Sequence, residues 1–149
     1  MKFKIAFLAL LCSVFSWGQT TIYSSACSAA SPAWTYNNTT AVQPIQQGTY
    51  WLLEDSDNII SEPFDVSSYV SGLSLSFLVG TYGAGAPNAP VFVEYSEDNG
   101  LTWSTTTFTS AIPTSATLIA SGVFNIPPST STQFKLRFNK GILGGRQGV

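Results

Sequence analysis

Apolar and polar residues alternate with a period of two along several stretches of this 149-residue chain, and nothing beyond the first eighteen residues carries a helical period. In LSLSFLVG, Leu73, Leu75, Phe77 and Val79 fall on one face, with Ser74 and Ser76 on the other. In PVFVEYS, Val91, Val93 and Tyr95 oppose Phe92 and Glu94. In TQFKLRF, Phe134, Leu136 and Phe138 oppose Lys135 and Arg137. TTIYSS, AWTY, TYWLLE, FDV, LTWSTTTF and LIASGVFNI read as weaker strands. Turn-forming segments separate them: SPA, QPIQQG, EDSDN, TYGAGAPNAP, EDNG, IPTSA and IPPSTS. Many short strands with such connections predict an all-β, antiparallel β-sandwich of jelly-roll type. After Phe138 comes NKGILGGRQGV, a Gly-rich loop where a further strand is expected. Either the sandwich lacks its last strand, or it leaves an edge that pairs with another chain.

Residues 1–18 read as a signal peptide. Lys2 and Lys4 make a charged start, Ile5 to Phe15 is an apolar run, and Ser16 and Gly18 place small residues before a cut at Gln19. That leaves residues 19–149 as the β-sandwich domain, secreted to the extracellular space or the cell surface. No later stretch is long and apolar enough to span a bilayer as a helix. All eight acidic residues of the chain lie after the cut, but only four of its six basic ones do (Lys135, Arg137, Lys140 and Arg146), so the domain is net acidic. That balance excludes a nucleic-acid partner, which needs a basic surface. Lys135 and Arg137 read as the solvent face of a strand. Cys27 is the only cysteine left after cleavage, so no internal disulfide forms and stability must come from the core. It reads as a small residue near the first strand rather than a reactive thiol.

The chain has no histidine, which removes Ser-His-Asp and Cys-His catalysis and the usual zinc sites. Glycosidase chemistry needs two carboxylates about 5–10 Å apart. Glu94 with Glu54, Asp55, Asp57 or Glu62 offers the residue types, but nothing pairs them, so the chain reads as no enzyme. GTYGAGAPN lacks the lysine and the following helix of a phosphate loop. No cofactor is expected except a structural calcium: in LEDSDN, Glu54, Asp55 and Asp57 offer hard oxygen ligands, though not at EF-hand spacing. Asn37 and Asn38 each begin an Asn-x-Thr sequon.

YSEDNGLTW carries the spacing S-x-D-x-G-x-T-W through Ser96, Asp98, Gly100, Thr102 and Trp103. It resembles the Asp-box of sialidases and other secreted β-proteins, where the box is a structural hairpin. Asn99-Gly100 tolerates the positive φ of a tight turn, Asp98 can accept backbone N–H groups, and Trp103 is expected to bury its ring in the sandwich. There is one box here and the only arginines are Arg137 and Arg146, which excludes a sialidase propeller. Sugar-binding modules stack pyranose rings on exposed aromatics. Tyr82 is the first candidate for that role, followed by Trp34 and Tyr36, whereas Trp51 and Trp103 are expected in the core.

The run TYWLLEDSDNIISEPFDVSSYVSGLSLSFLVGTYG, with VFVEYSEDNGLTW and KLRFNKG…GRQGV, resembles a module of secreted Bacteroidota proteins, many exported by the type IX system. That module is similar to galactose-binding-like, MAM-like and "choice-of-anchor" domains. The resemblance covers Trp34 to Val149. It implies a jelly roll that accompanies hydrolases, nucleases or adhesins without being catalytic. The family's usual last strand and its sorting domain are not found in this sequence. The expected function is therefore non-catalytic binding of a glycan or cell-surface polysaccharide. The alternatives are an adhesion unit with a strand-edge partner, or the leading part of a hydrolase or nuclease whose further domains carry the chemistry.

Overall fold

The computed structural model describes residues 21–22, 34–37, 45–47, 50–53, 57–81, 89–140 and 147–148. Among them the strands, in chain order, are β1 (Thr35–Asn37), β2 (Ile45–Gln47), β3 (Tyr50–Leu53), β4 (Asn58–Ile60), β5 (Leu73–Leu75), β6 (Leu78–Thr81), β7 (Val91–Ser96), β8 (Phe108–Thr109), β9 (Ile119–Ala120), β10 (Phe124–Ile126), β11 (Lys135–Lys140) and β12 (Gln147–Gly148). The two segments with the cleanest alternation, β7 and β11, are the longest and pair with each other over their whole length. No helix occurs among the described residues, and none is long and apolar enough to cross a membrane.

Every pairing is antiparallel. One five-stranded sheet runs β1-β4-β11-β7-β8 and a second runs β2-β3-β12-β6-β9, with β10-β5 as a two-stranded extension of the second layer. The interior is filled from both layers, as in an all-β sandwich. Ile59, Val91, Val93, Leu136 and Phe138 come from the first sheet; Leu53, Val79 and Ile126 come from the other strands. Rings lock the layers together: Phe77 meets Phe138 edge-on at 5.1 Å, and Phe108 lies 5.5 Å from Phe124. Each such side chain fully buried stabilises the fold by about 1.5–3 kcal/mol.

LSLSFLVG is one strand broken at Ser76–Phe77. Leu73, Leu75 and Phe77 pack on the core and Val79 is wholly buried, so the expected face holds across the break. The break has a partner. Ser121 donates its N–H to the Phe77 carbonyl (2.8 Å) and accepts the Phe77 N–H on its Oγ (3.1 Å). Gly122 follows with φ 98°, which lets the paired strand shift register between β9 and β10. As a result β6 lies between β9 and β12, while among the described residues β5 pairs with β10 alone.

Several weak-strand expectations shrink. FDV keeps one bridge, Phe64 to Phe134, and LTWSTTTF is a strand only at Phe108–Thr109. Of TTIYSS, the described Thr21 and Ile22 are not in a strand, although Ile22 packs against the core. Conversely, β2 forms inside QPIQQG, β4 begins at Asn58 at the end of EDSDN, and β12 forms inside the Gly-rich C-terminal segment. Each exists because a longer neighbour offers a ladder: β3 for β2, β11 for β4, and β3 with β6 for β12. The expected signal peptide and Cys27 lie outside the described residues.

Candidate functional site

The Asp-box is a closed hydrogen-bonded turn at the tip of β7. Asn99 and Gly100 take φ 61° and 88°, the left-handed backbone that an Asn-Gly pair permits. Ser96, 1% exposed, donates its hydroxyl to Asp98 Oδ1 (2.7 Å) and accepts the N–H groups of Asp98 (3.3 Å) and Gly100 (2.8 Å). Asp98 Oδ1 accepts the Thr102 N–H (2.8 Å), and Oδ2 accepts the Thr102 hydroxyl. These bonds, Thr102's first and Ser96's after them, hold the Asp98 carboxyl down at about 2, although desolvation acts weakly the other way. The turn is tied to the loop before β11: Asn99 donates to the Gln133 carbonyl (3.2 Å) and Ser131 Oγ to the Glu97 carbonyl (2.7 Å). Donors and acceptors satisfy one another, so the box is a brace.

What the brace positions lies on the outer face of the first sheet. Burial along β11 alternates, with Leu136, Phe138 and Lys140 buried and Lys135, Arg137 and Asn139 half-buried on the solvent side. The register places Glu94 beside Arg137 and Phe92 beside Asn139, with Ile60 and Asn58 on the far side of each. Glu94 Oε2 accepts from Arg137 Nε (2.8 Å) and Asn139 Nδ2 (2.7 Å), and Arg137 Nη2 stands 2.6 Å from it. The guanidinium is sandwiched further, for its Cζ lies 4.2 Å from the centre of the Trp103 ring. Asn58 Oδ1, in the same cross-strand row as Asn139, is buried without a hydrogen-bond partner. The result is an aromatic plane on a fixed guanidinium, bordered by the Glu94 carboxylate and the Asn139 carboxamide.

Trp103 therefore corrects an expectation: its ring is half-buried on the outside of the sheet instead of inside the sandwich. The chain after the turn does not re-form a strand at once, so Trp103 folds back over β11, held where Ser104 donates to the Tyr95 carbonyl (2.8 Å). Trp34 is the opposite correction. Expected as a surface platform, it is 9% exposed, belongs to the core cluster and lies 5.6 Å from the Phe138 ring, with its indole N–H unpartnered. Trp51 is in the core. Tyr36 sits in β1 opposite Ile59. Tyr82 lies outside the described residues, as do Glu54 and Asp55. Asp57, expected on the loop as their co-ligand, is completely buried, and its carbonyl takes the N–H of Lys140 (3.3 Å), itself 2% exposed. Among the described residues no three of His, Cys, Asp and Glu gather into a metal site.

No protein-family model matches the chain, and no curated protein matches it. A solved structure with some likeness is that of the Clostridium thermocellum N-terminal endo-1,4-β-D-xylanase 10B, its CBM22-1–GH10 modules complexed with xylohexaose. The two are 14% identical with a TM-score of 0.37, over 79% of this chain and 26% of that one. The chain spans about a quarter of that structure's length.

The alternation of β7 and β11 already displayed Glu94 and Arg137 on polar faces, whereas Asn139 fell in the segment read as a Gly-rich loop. Their convergence needed the pairing of the two strands, forty-odd residues apart. The opposite charges on the solvent faces of the two strongest strands were the available signal.

Proposed function

We propose that this chain is a secreted, non-catalytic binding module whose ligand is a glycan or cell-surface polysaccharide, taken on the outer face of the first sheet. The observation that carries the reading is the Trp103 ring, fixed on Arg137 beside Glu94 and Asn139. A flat aromatic next to carboxylate, guanidinium and carboxamide groups is the chemistry that receives a pyranose, whose C–H face packs on the ring while its hydroxyls meet the polar fork. Rigid cross-strand neighbours hold these groups, so little ordering accompanies binding. Glu94 speaks for binding over catalysis. Its Oε2 is already engaged by Arg137 and Asn139 on the sheet face.

A glycan array followed by calorimetry on the best ligand tests this. Trp103→Ala is expected to weaken binding at least tenfold, and Trp103→Tyr to recover most of it, with both variants keeping the wild-type melting temperature within a few degrees. Binding that survives Trp103→Ala unchanged, or an array with no specific signal, overturns the reading.

A further inference from the structure

Among the described residues four serines make the same pair of bonds across a ladder. Each donates its backbone N–H to the carbonyl of the residue opposite and accepts that residue's N–H on its Oγ. Ser61 does so with Leu136 (2.9 and 3.0 Å), Ser110 with Val91 (2.9 and 2.9 Å), Ser121 with Phe77 (2.8 and 3.1 Å) and Ser104 with Tyr95 (2.8 and 3.1 Å). The hydroxyl supplies the acceptor that a backbone carbonyl gives inside a regular ladder, so the opposite amide stays satisfied.

Three of the four continue the register of their own strand. Ile60 stands opposite Arg137, and Ser61 takes the next row, opposite Leu136. Ala120 stands opposite Leu78, and Ser121 follows opposite Phe77. Thr109 stands opposite Phe92, and Ser110 follows opposite Val91. Ser104 does not. Phe108 is opposite Val93, and that register carried back two rows puts Thr106 opposite Tyr95. Ser104 is there instead, two residues out of step with β8. Its hydroxyl differs too, because it donates to the carbonyl of Thr106, two residues on (2.9 Å). The other three donate to the carbonyl of the next residue. The bond to Thr106 closes the two-residue detour before β8.

The place of Trp103 depends on which register holds. With Ser104 opposite Tyr95, Trp103 falls opposite Ser96, and its ring reaches the Arg137 guanidinium at 4.2 Å. In the register of β8, Thr105 would take that row and Trp103 would slide two residues, roughly 6–7 Å, toward the turn. Alternation cannot choose between the two, because a two-residue slip leaves every side chain on its own face. Tyr95 is the fixed side of the clamp. Its ring stacks against Phe134 (5.5 Å) and Phe108 (6.4 Å), and its backbone lies opposite Leu136 in the ladder with β11.

We propose that Ser104 is the positioning residue of the outer face: its clamp on Tyr95 selects the register that sets Trp103 on Arg137. The consequence for binding rests on the reading of Trp103 as the platform, whereas the placement itself is measured without a ligand.

The test is the NMR signal of the Arg137 Nε–H, which the Trp103 ring current displaces, with Trp103→Ala as the reference for an absent ring. Ser104→Ala is expected to move the signal most of the way to that reference, because the Tyr95 N–H loses its acceptor and the strand slips to Thr106. Ser104→Thr keeps the hydroxyl and is expected to hold the wild-type position. Ser110→Ala removes the same clamp where no second register competes. It is expected to lower the melting temperature and leave the signal in place. Deleting Thr105 and Thr106 makes the two registers one, and in that background Ser104→Ala is expected to leave the signal unmoved. An unmoved signal in Ser104→Ala alone overturns the positioning role. So does a signal that moves as far in Ser110→Ala or in the deletion background. Loss of the folded spectrum in Ser104→Ala makes the serine a requirement of folding and overturns the role equally. An array with no specific signal overturns the glycan reading and leaves these outcomes untouched.

Discussion

The tip of β7 and the edge of β5 use similar residues, serine beside leucine and a left-handed glycine with an aromatic close by, and end in opposite states. At the tip, Ser96, Asp98 and Thr102 consume one another's hydrogen-bonding capacity, and Gln133 and Ser131 tie the turn to the loop before β11. At β5, Ser71, Ser74 and Ser76 are exposed, and among the described residues β5 pairs only with β10. Closure at the tip produces a rigid platform suited to a ring-shaped ligand. Serine content says nothing about which will occur; the number of strands beside it decides.

Removing a ring from the core between the layers has the largest expected effect. Phe138, 4% exposed, touches the rings of both Trp34 and Phe77. Phe138→Ala is expected to cost about 3–5 kcal/mol in urea denaturation. A loss below about 1 kcal/mol would mean the layers are not packed as described.

Next come the two glycines that make the regions' turns. Gly100 has φ 88°, and a Cβ there would make only ordinary van der Waals contacts, with the Trp103 ring at 3.5 Å and Lys135 Cδ at 3.7 Å. Gly100→Ala is expected to cost about 1–2 kcal/mol of backbone strain. Gly72 has φ 93°, and a Cβ there would stand 2.9 Å from the Ile126 carbonyl oxygen. Gly72→Ala adds a backbone clash to the same strain and is expected to destabilise more. Equal losses would remove the close approach of β5 to β10 from the account.

The smallest effect sharpens the tip. Asp98 titrates at about 2 in the fold against 3.8 without it. A lowered carboxyl contributes stability above about pH 4 and loses it as pH falls toward 2. Asp98→Asn is expected to be less stable than wild type at pH 7, and the gap should close between pH 4 and pH 2. A gap independent of pH would show that the Thr102 bonds do not depend on the charge.

These predictions also mark what could be read from sequence. Alternation in β7 and β11 assigned the inner and outer faces, and EDNG placed the turn, because both signals are local. Trp103 and Trp34 were each expected on the wrong side, since a tryptophan's side follows from whether the chain at that point is in register with a sheet. Trp103 leaves the ladder and folds over Arg137, while Trp34 enters beside β1 and turns inward. The two- and three-residue strands β2, β9 and β12 carry too few residues for a period to show. They are set by their partners. The split of β5 with β10 from β6 with β9 follows from a break at Phe77 that its uninterrupted alternation conceals.

The most direct test of the central claim, that the outer face beside the Asp-box is the ligand surface, is an amide and indole NMR titration with the best array oligosaccharide. The account predicts shifts confined to the Trp103 indole N–H, the Asn139 side-chain amide and the neighbouring amides of β7 and β11, with Leu73–Leu75 unmoved. Shifts centred on Leu73–Leu75, with Trp103 silent, would contradict it.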